Sequence, residues 1–228
     1  MRLVQGEVGG GNVSRDRLIA YIDGFNLDNG IHDEWKCAQL WLDVVQLVKD
    51  LRPKSDLVAV KYFTAYVRDD ERARALQRDY IAALQAANPG VLHISLGRFQ
   101  TKTRACRECG ATYRAYEEKE TDVNIAVELV SDAAQHRMDS ALLISADSDL
   151  APAVRAARAA NPALFVVAAF PPNRYSAELE KLMPASFHIG RSKITGAQLP
   201  EIVTASGGRT HSRPAKWGGR SRAGHKAT

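Results

Sequence analysis

The sequence predicts an α/β domain: a three-layer α/β/α sandwich around a mostly parallel central sheet. Strand-like and helix-like segments alternate along the chain, and most of the strands are apolar throughout instead of alternating in polarity. A strand reads that way when both of its faces are buried, and right-handed crossovers place helices on both sides of such a sheet. The chain has 228 residues, 45% hydrophobic and 25% charged, which is enough for one domain to bury a core without disulfides.

Each element has its own signal. Arg17 to Ile22 (RLIAYI) is a short apolar run ending at Asp-Gly, a strand and then a turn. Leu40 to Leu51 carries apolar residues at helical spacing and is stopped by Arg52-Pro53. Leu57 to Val67, β-branched and aromatic, is the second strand. Asp69 to Ala87 repeats apolar residues at Ala73, Leu76, Tyr80 and Leu84 and ends at Asn-Pro-Gly, a helix. Val91 to Phe99 is a third strand, and residues 101–119 form a polar, irregular insert. A helix starts at Thr121 with Ile125, Leu129 and Ala133 on one face. Ser140 to Ser145 is a fourth strand, followed by a helix with Pro152 in its first turn. Ala163 to Phe170 is a fifth strand, Tyr175 to Met183 a final long helix, and Ser186 to Ile189 adds a sixth strand.

This reading divides the chain into a flexible N-terminus (1–16), one domain (17–203) and a tail (204–228). From Ala205 onward there are six basic residues and no acid, so the 31 basic residues less those six leave 25 against 26 acids. The basic character therefore belongs to the tail. Its Gly, Ser and Arg content without apolar periodicity predicts disorder, either as a solubilising terminus or as a cationic arm for phosphates. No stretch approaches the roughly 18 apolar residues of a membrane span. No apolar run follows the N-terminal residues, so no secretory signal is expected. Three cysteines, an odd number, suit a reducing compartment, and the expected location is the cytoplasm.

An open α/β sheet carries its site at the carboxyl ends of its strands. Asp23 follows the first strand in Tyr-Ile-Asp-Gly-Phe-Asn (21–26), and Asp147 and Asp149 follow the fourth in Ser-Ala-Asp-Ser-Asp (145–149). Asp122 sits in the first turn of the helix feeding that fourth strand, so all four acids fall on one sheet edge. Each has a purely structural alternative. Asp23 fits an Asx turn, Ser148 or Asp149 a helix N-cap, Asp122 a helix-dipole partner or a pair with Lys119, and Asn26 a turn residue. Gathered carboxylates are costly unless a cation neutralises them, and oxygen donors without His or Cys favour Mg²⁺ or Mn²⁺ over zinc. No phosphate-cradling glycine loop of the GxGxxG or GxxxxGK[ST] type occurs. Glu128, six residues beyond Asp122, reads as a surface acid or one that supports the site from outside.

The runs Y-I-D-G-F-N, E-K-E-T-D-V-N-I-A-V-E-L and L-L-I-S-A-D-S-D-L, in this order, resemble the NYN family, a branch of the PIN-like and 5′-nuclease-like nucleases. The later V-V-A-A-F-P-P-N-R-Y-S-A-E-L resembles the end of bacterial, LabA-like NYN domains, and the likeness runs from about Leu18 to Ile202. The resemblance implies a Rossmann-like, PIN-like α/β/α fold and a metal-dependent ribonuclease. By motif it places Asp23, Asp122, Asp147 and Asp149 in the metal-binding acidic cluster and Asn26 beside it as a fifth catalytic residue. It also implies cleavage that leaves a 5′-phosphate and a 3′-hydroxyl.

Lys102, Arg104, Arg107 and Arg114 around the insert, and Arg174 after the fifth strand, are candidates for holding single-stranded or structured RNA. Phe99, Tyr113 and Tyr116 could stack on bases, although interior packing is the commoner fate of such aromatics. Cys106-Arg-Glu-Cys109-Gly is half of a zinc knuckle, whereas structural zinc needs four ligands. Cys37 with His32 or His93 is one way to complete it, and sharing across a homodimer is another; free thiols in a loop are the alternative to zinc.

The competing functional reading is an RNA-binding or regulatory module with little catalysis, which would have no reason to keep a costly acidic cluster. A phosphatase of the haloacid-dehalogenase type is disfavoured, because its DxD pair after the first strand is Asp23-Gly-Phe-Asn26 here.

Overall fold

In a computed structural model, residues 15–106, 108–183 and 185–218 are described. The elements run β1 (Arg17–Asp23), α1 (Gly24–Trp35), α2 (Val44–Leu51), β2 (Asp56–Thr64), α3 (Glu71–Ala87), β3 (Leu92–Leu96), β4 (Arg98–Ala105), β5 (Thr112–Lys119) and α4 (Thr121–Ala134). There follow β6 (Ser140–Ile144), α5 (Ala151–Ala160), β7 (Phe165–Phe170), α6 (Ala177–Leu182), β8 (Ala185–His188), α7 (Arg191–Gly196), β9 (Ile202–Thr204) and β10 (Thr210–Ser212).

Six strands form one sheet in the order β3-β2-β1-β6-β7-β8, with every pair parallel. These are the six strands expected from sequence, with bounds shifted by a few residues. The chain winds outward from β1 to β3 and then returns to lay β6 on the other side of β1. The β1–β6 seam is therefore the switch point where an open α/β sheet forms a crevice.

The pleat of β1 explains its unbroken apolar sequence. Leu18, Ala20 and Ile22 enter a core beneath α1, α2, α3 and α7, while Ile19 and Tyr21 enter a second core beneath α4, α5 and α6. The second layer also buries a charge. Asp132, 1% exposed, takes hydrogen bonds from the Tyr21 hydroxyl at 2.6 Å, Lys61 Nζ at 2.5 Å and Arg137 at 3.1 Å. Burial pushes its pKa up, but these donors hold it below the usual carboxylate value. Lys61 also meets Glu128 at 2.7 Å, so Glu128 belongs to this structural network and not to the sheet edge.

Four expectations need correction. The Asp-Gly after β1 does not make a simple turn, because it opens the twelve-residue helix α1. Two of its glycines are required by packing: a Cβ on Gly24 would lie 2.7 Å from the Phe63 carbonyl oxygen, and one on Gly30 would lie 2.6 Å from that of Pro172. Glycine weakens the sequence signal of a helix in the same measure as it permits this approach. The insert at 101–119 is not irregular: β4 and β5 pair antiparallel from Arg98↔Lys119 to Ala105↔Thr112. They form their own two-stranded sheet, and their polar sequence has no apolar alternation to reveal it.

The long helix expected over 175–183 is only α6, six residues capped by Ser176. The tail is not disordered from residue 204. β9 and β10 form a hairpin, and Trp217 packs on Trp41 and Tyr80 with ring centroids 6.2 and 5.7 Å away. One large aromatic anchors a segment whose composition otherwise reads as unstructured. The expectations for residues 1–14 and 219–228 lie outside the described residues. No helix among the described residues is long and apolar enough to cross a membrane.

Candidate active site at the β1–β6 seam

Asp23, the last residue of β1, is 4% exposed. One of its carboxylate oxygens caps α1 by accepting from Asn26 N at 3.0 Å. The other accepts from the Ser145 hydroxyl at 2.9 Å. The Ser145 Oγ in turn accepts from the Asp147 backbone N–H at 3.1 Å, so a single hydroxyl ties the ends of β1 and β6 together. Asn26 adds a second tie, its Oδ1 accepting from Ala146 N at 3.1 Å.

Beyond β6 the chain makes a 3-10 turn at Ser148–Leu150, whose cap is Asp147, accepting from Asp149 N at 2.9 Å. Neither Ser148 nor Asp149 is the cap. Asp147 is half-buried and Asp149 is exposed. Asp122 is half-buried in the first turn of α4, and α4 packs against this 3-10 turn. The fold therefore brings Asp23, Asn26, Asp147 and Asp149 to one seam, with Asp122 on the neighbouring helix.

Among the described residues, no three His, Cys, Asp or Glu side chains stand close enough to hold a metal ion together. The donors at the seam are all oxygens, and the Ser145 hydroxyl links the Asp23 carboxylate to the Asp147 backbone N–H. That set suits Mg²⁺, which keeps several waters and binds through one or two carboxylates plus substrate phosphates.

Asp28 is a site residue that the sequence reading missed. It lies one turn along α1 and accepts from the Tyr62 hydroxyl at 3.1 Å. Burial, and then the negative charge of Asp23, push its pKa up to about 7. Burial also drives the Tyr62 hydroxyl well above its usual value. Asp28, Asn29, His32 and Lys216 contribute polar groups to a cavity of about 310 Å³ walled by Leu40, Leu76, Tyr80 and Trp217. A D-x-x-x-x-D spacing from the end of a strand into a helix was the available signal, but only with α1 recognised as a helix.

The predicted cationic contacts fare differently. Arg174 lies at the carboxyl edge, yet it pairs with Asp33 at 2.5 Å and packs on Gly30, so it fastens α1 to the end of β7. An ion pair already made leaves it a weaker candidate for RNA. Lys102, Arg104 and Arg114 lie in the β4–β5 hairpin, and their side chains fall outside the described residues, as does Arg107 altogether. The zinc set of Cys37 with Cys106 and Cys109 does not assemble. Cys37 packs beside the first core after α1, and the other two sit at the tip of the hairpin.

A parallel sheet with β1 central, and acids at its switch point, defines a Rossmann-like α/β domain. The NYN domain family matches residues 17–188, and the chain belongs to that family. It is 26% identical to the 6-hydroxy-3-succinoylpyridine 3-monooxygenase HspA of Pseudomonas putida, over 89% of this chain and 76% of that protein. A crystal structure of a protein of unknown function from Vibrio parahaemolyticus superposes with a TM-score of 0.56 at 16% identity. That superposition covers 82% of this chain and 98% of the other, and it shows the shared fold.

Proposed function

We propose that the protein is a metal-dependent ribonuclease that hydrolyses RNA phosphodiester bonds at the β1–β6 seam. The observation that carries this reading is the coupling of Asp23 to Asp147 through Ser145 at the switch point of an NYN domain. In this proposal Asp23 and Asp147 hold Mg²⁺ or Mn²⁺ directly, and Asp122 and Asp149 act on it through bound water. When bound, the ion supplies Lewis-acid stabilisation of phosphoryl charge and a water acidic enough to attack.

The chain's own groups then have distinct tasks. Ser145 holds the Asp23 carboxylate in one rotamer and fixes the start of the loop that carries Asp147. Asn26 spends its carbonyl oxygen on Ala146, which leaves its amide NH₂ to donate to a phosphate oxygen. Single-stranded or structured RNA is the partner. Incubation with 5′-labelled RNA should give products with 5′-phosphate and 3′-hydroxyl ends in Mg²⁺ or Mn²⁺ and none in EDTA. Intact RNA across several substrates and both metals would defeat the proposal.

A second reading rests on the cavity at Asp28. The relative from Pseudomonas putida is named for a hydroxylated pyridine bearing a succinoyl group. A cavity with aromatic walls, Asp28 inside and Lys216 among its lining residues suits a small heteroaromatic acid. A shift of the melting temperature with hydroxypyridine carboxylates, absent in Asp28→Ala, would favour it over the nuclease.

A further inference from the structure

The β4–β5 hairpin takes no part in the seam chemistry, yet its tip is built to a pattern. The Cys106 N–H donates to the Ala111 carbonyl at 2.8 Å, and the Gly110 N–H returns to the Cys106 carbonyl at 3.0 Å. Gly110 sits at φ +69°, the left-handed conformation that favours glycine, immediately after the second cysteine. Hydrogen bonding from the Cys109 and Glu108 backbone and the Cys109 side chain holds the Cys106 thiol below its usual pKa. Donors aimed at a sulfur stabilise its thiolate, which is the form that binds a metal. Cys109 is exposed and Cys106 half-buried.

This is a two-sulfur half-site. Structural zinc takes four ligands at tetrahedral geometry. The chain has three cysteines, and the third, Cys37, lies beside the first core, so one chain cannot supply four thiolates. Among the described residues no further His, Asp or Glu joins the pair to make three. The arm itself is placed for an external partner. Among the described residues its strands pair with each other and with no other strand, and eight residues per strand carry the tip on the order of 25 Å along the arm. A two-fold axis through one metal ion satisfies both copies with the same surface, as a closed dimer requires.

We propose that the hairpin tip is half of a structural zinc site, completed by Cys106 and Cys109 of a second copy of this chain. One Zn²⁺ bound by four thiolates joins two protomers arm to arm, and binding releases the thiol protons. The site is independent of the nuclease reading.

The full chain, purified under reducing conditions with zinc supplied, is examined for metal content and for mass by light scattering. The expected result is one zinc per two chains in a dimer. A chelator, or the Cys109→Ser substitution, should give monomers without zinc whose far-UV circular dichroism is unchanged. Cys37→Ser should keep both metal and dimer, and Co²⁺ in place of zinc should show the intense absorption of a tetrahedral thiolate site. Absence of zinc, one zinc per monomeric chain, or a zinc dimer that survives Cys109→Ser would each overturn the proposal. So would a dimer resistant to chelator but dissolved by reductant, which would be a disulfide.

Discussion

The Ser145 hydroxyl donates to Asp23 at 2.9 Å and accepts from the Asp147 N–H at 3.1 Å, so one small side chain couples the acids that end β1 and β6. Replacing it by alanine leaves a buried carboxylate oxygen without that donor, a loss of about 1–3 kcal/mol. Ser145→Ala should lower the thermal midpoint, and it should reduce metal-dependent RNA cleavage by about tenfold, the usual effect of removing a group that orients a metal ligand. Ser145→Thr, which keeps the hydroxyl, should recover most of the activity. Melting curves and single-turnover rates of the two variants check this.

Asp28 predicts a pH dependence with a definite sign. Its folded pKa, about 7, is above the roughly 3.9 of an unfolded aspartate, so the fold disfavours the charged form. That penalty is absent below about pH 4, grows as pH rises toward 7, and is complete above it. Asp28→Asn keeps an acceptor for the Tyr62 hydroxyl and removes the charge. The variant should match wild type near pH 4 and be more stable by on the order of 1 kcal/mol at pH 8, allowing for solvent in the adjoining cavity. Denaturant titrations of both proteins at the two pH values would show it.

Trp217 closes the first core from the C-terminal side, and Gln39 N donates to its carbonyl at 3.1 Å. Trp217→Ala should cost about 3–5 kcal/mol and loosen the segment after β10. The test is urea unfolding together with limited proteolysis, which should cut the variant after residue 204 and spare the wild type.

How much of this was legible in the sequence follows from what each residue touches. β1, β6 and β7 could be read because both faces are buried, and the acids could be placed because strand ends mark the sheet edge. α1 was hidden by Gly24 and Gly30, which exist to let it approach β2 and the loop after β7. The β4–β5 hairpin was hidden because its sequence is polar and carries no apolar alternation. The pairing of Arg174 with Asp33 joins residues far apart in sequence, and no local pattern announces it. The ionisation of Asp28 is set by burial and by Asp23 across a turn of a helix that the sequence did not reveal. Cys37 was legible only as a cysteine, and its place beside the first core separates it from the hairpin pair.

The central claim is that Asp147 and Asp23 act together on a phosphodiester. The most direct measurement is the single-turnover cleavage rate of labelled RNA in Mg²⁺ and Mn²⁺ by wild type and by Asp147→Asn, with folding checked by melting temperature. The account predicts cleavage by wild type and a fall of at least about 100-fold in a folded Asp147→Asn, because a direct ligand should matter more than the groups that orient it. Equal rates in the two proteins would contradict it.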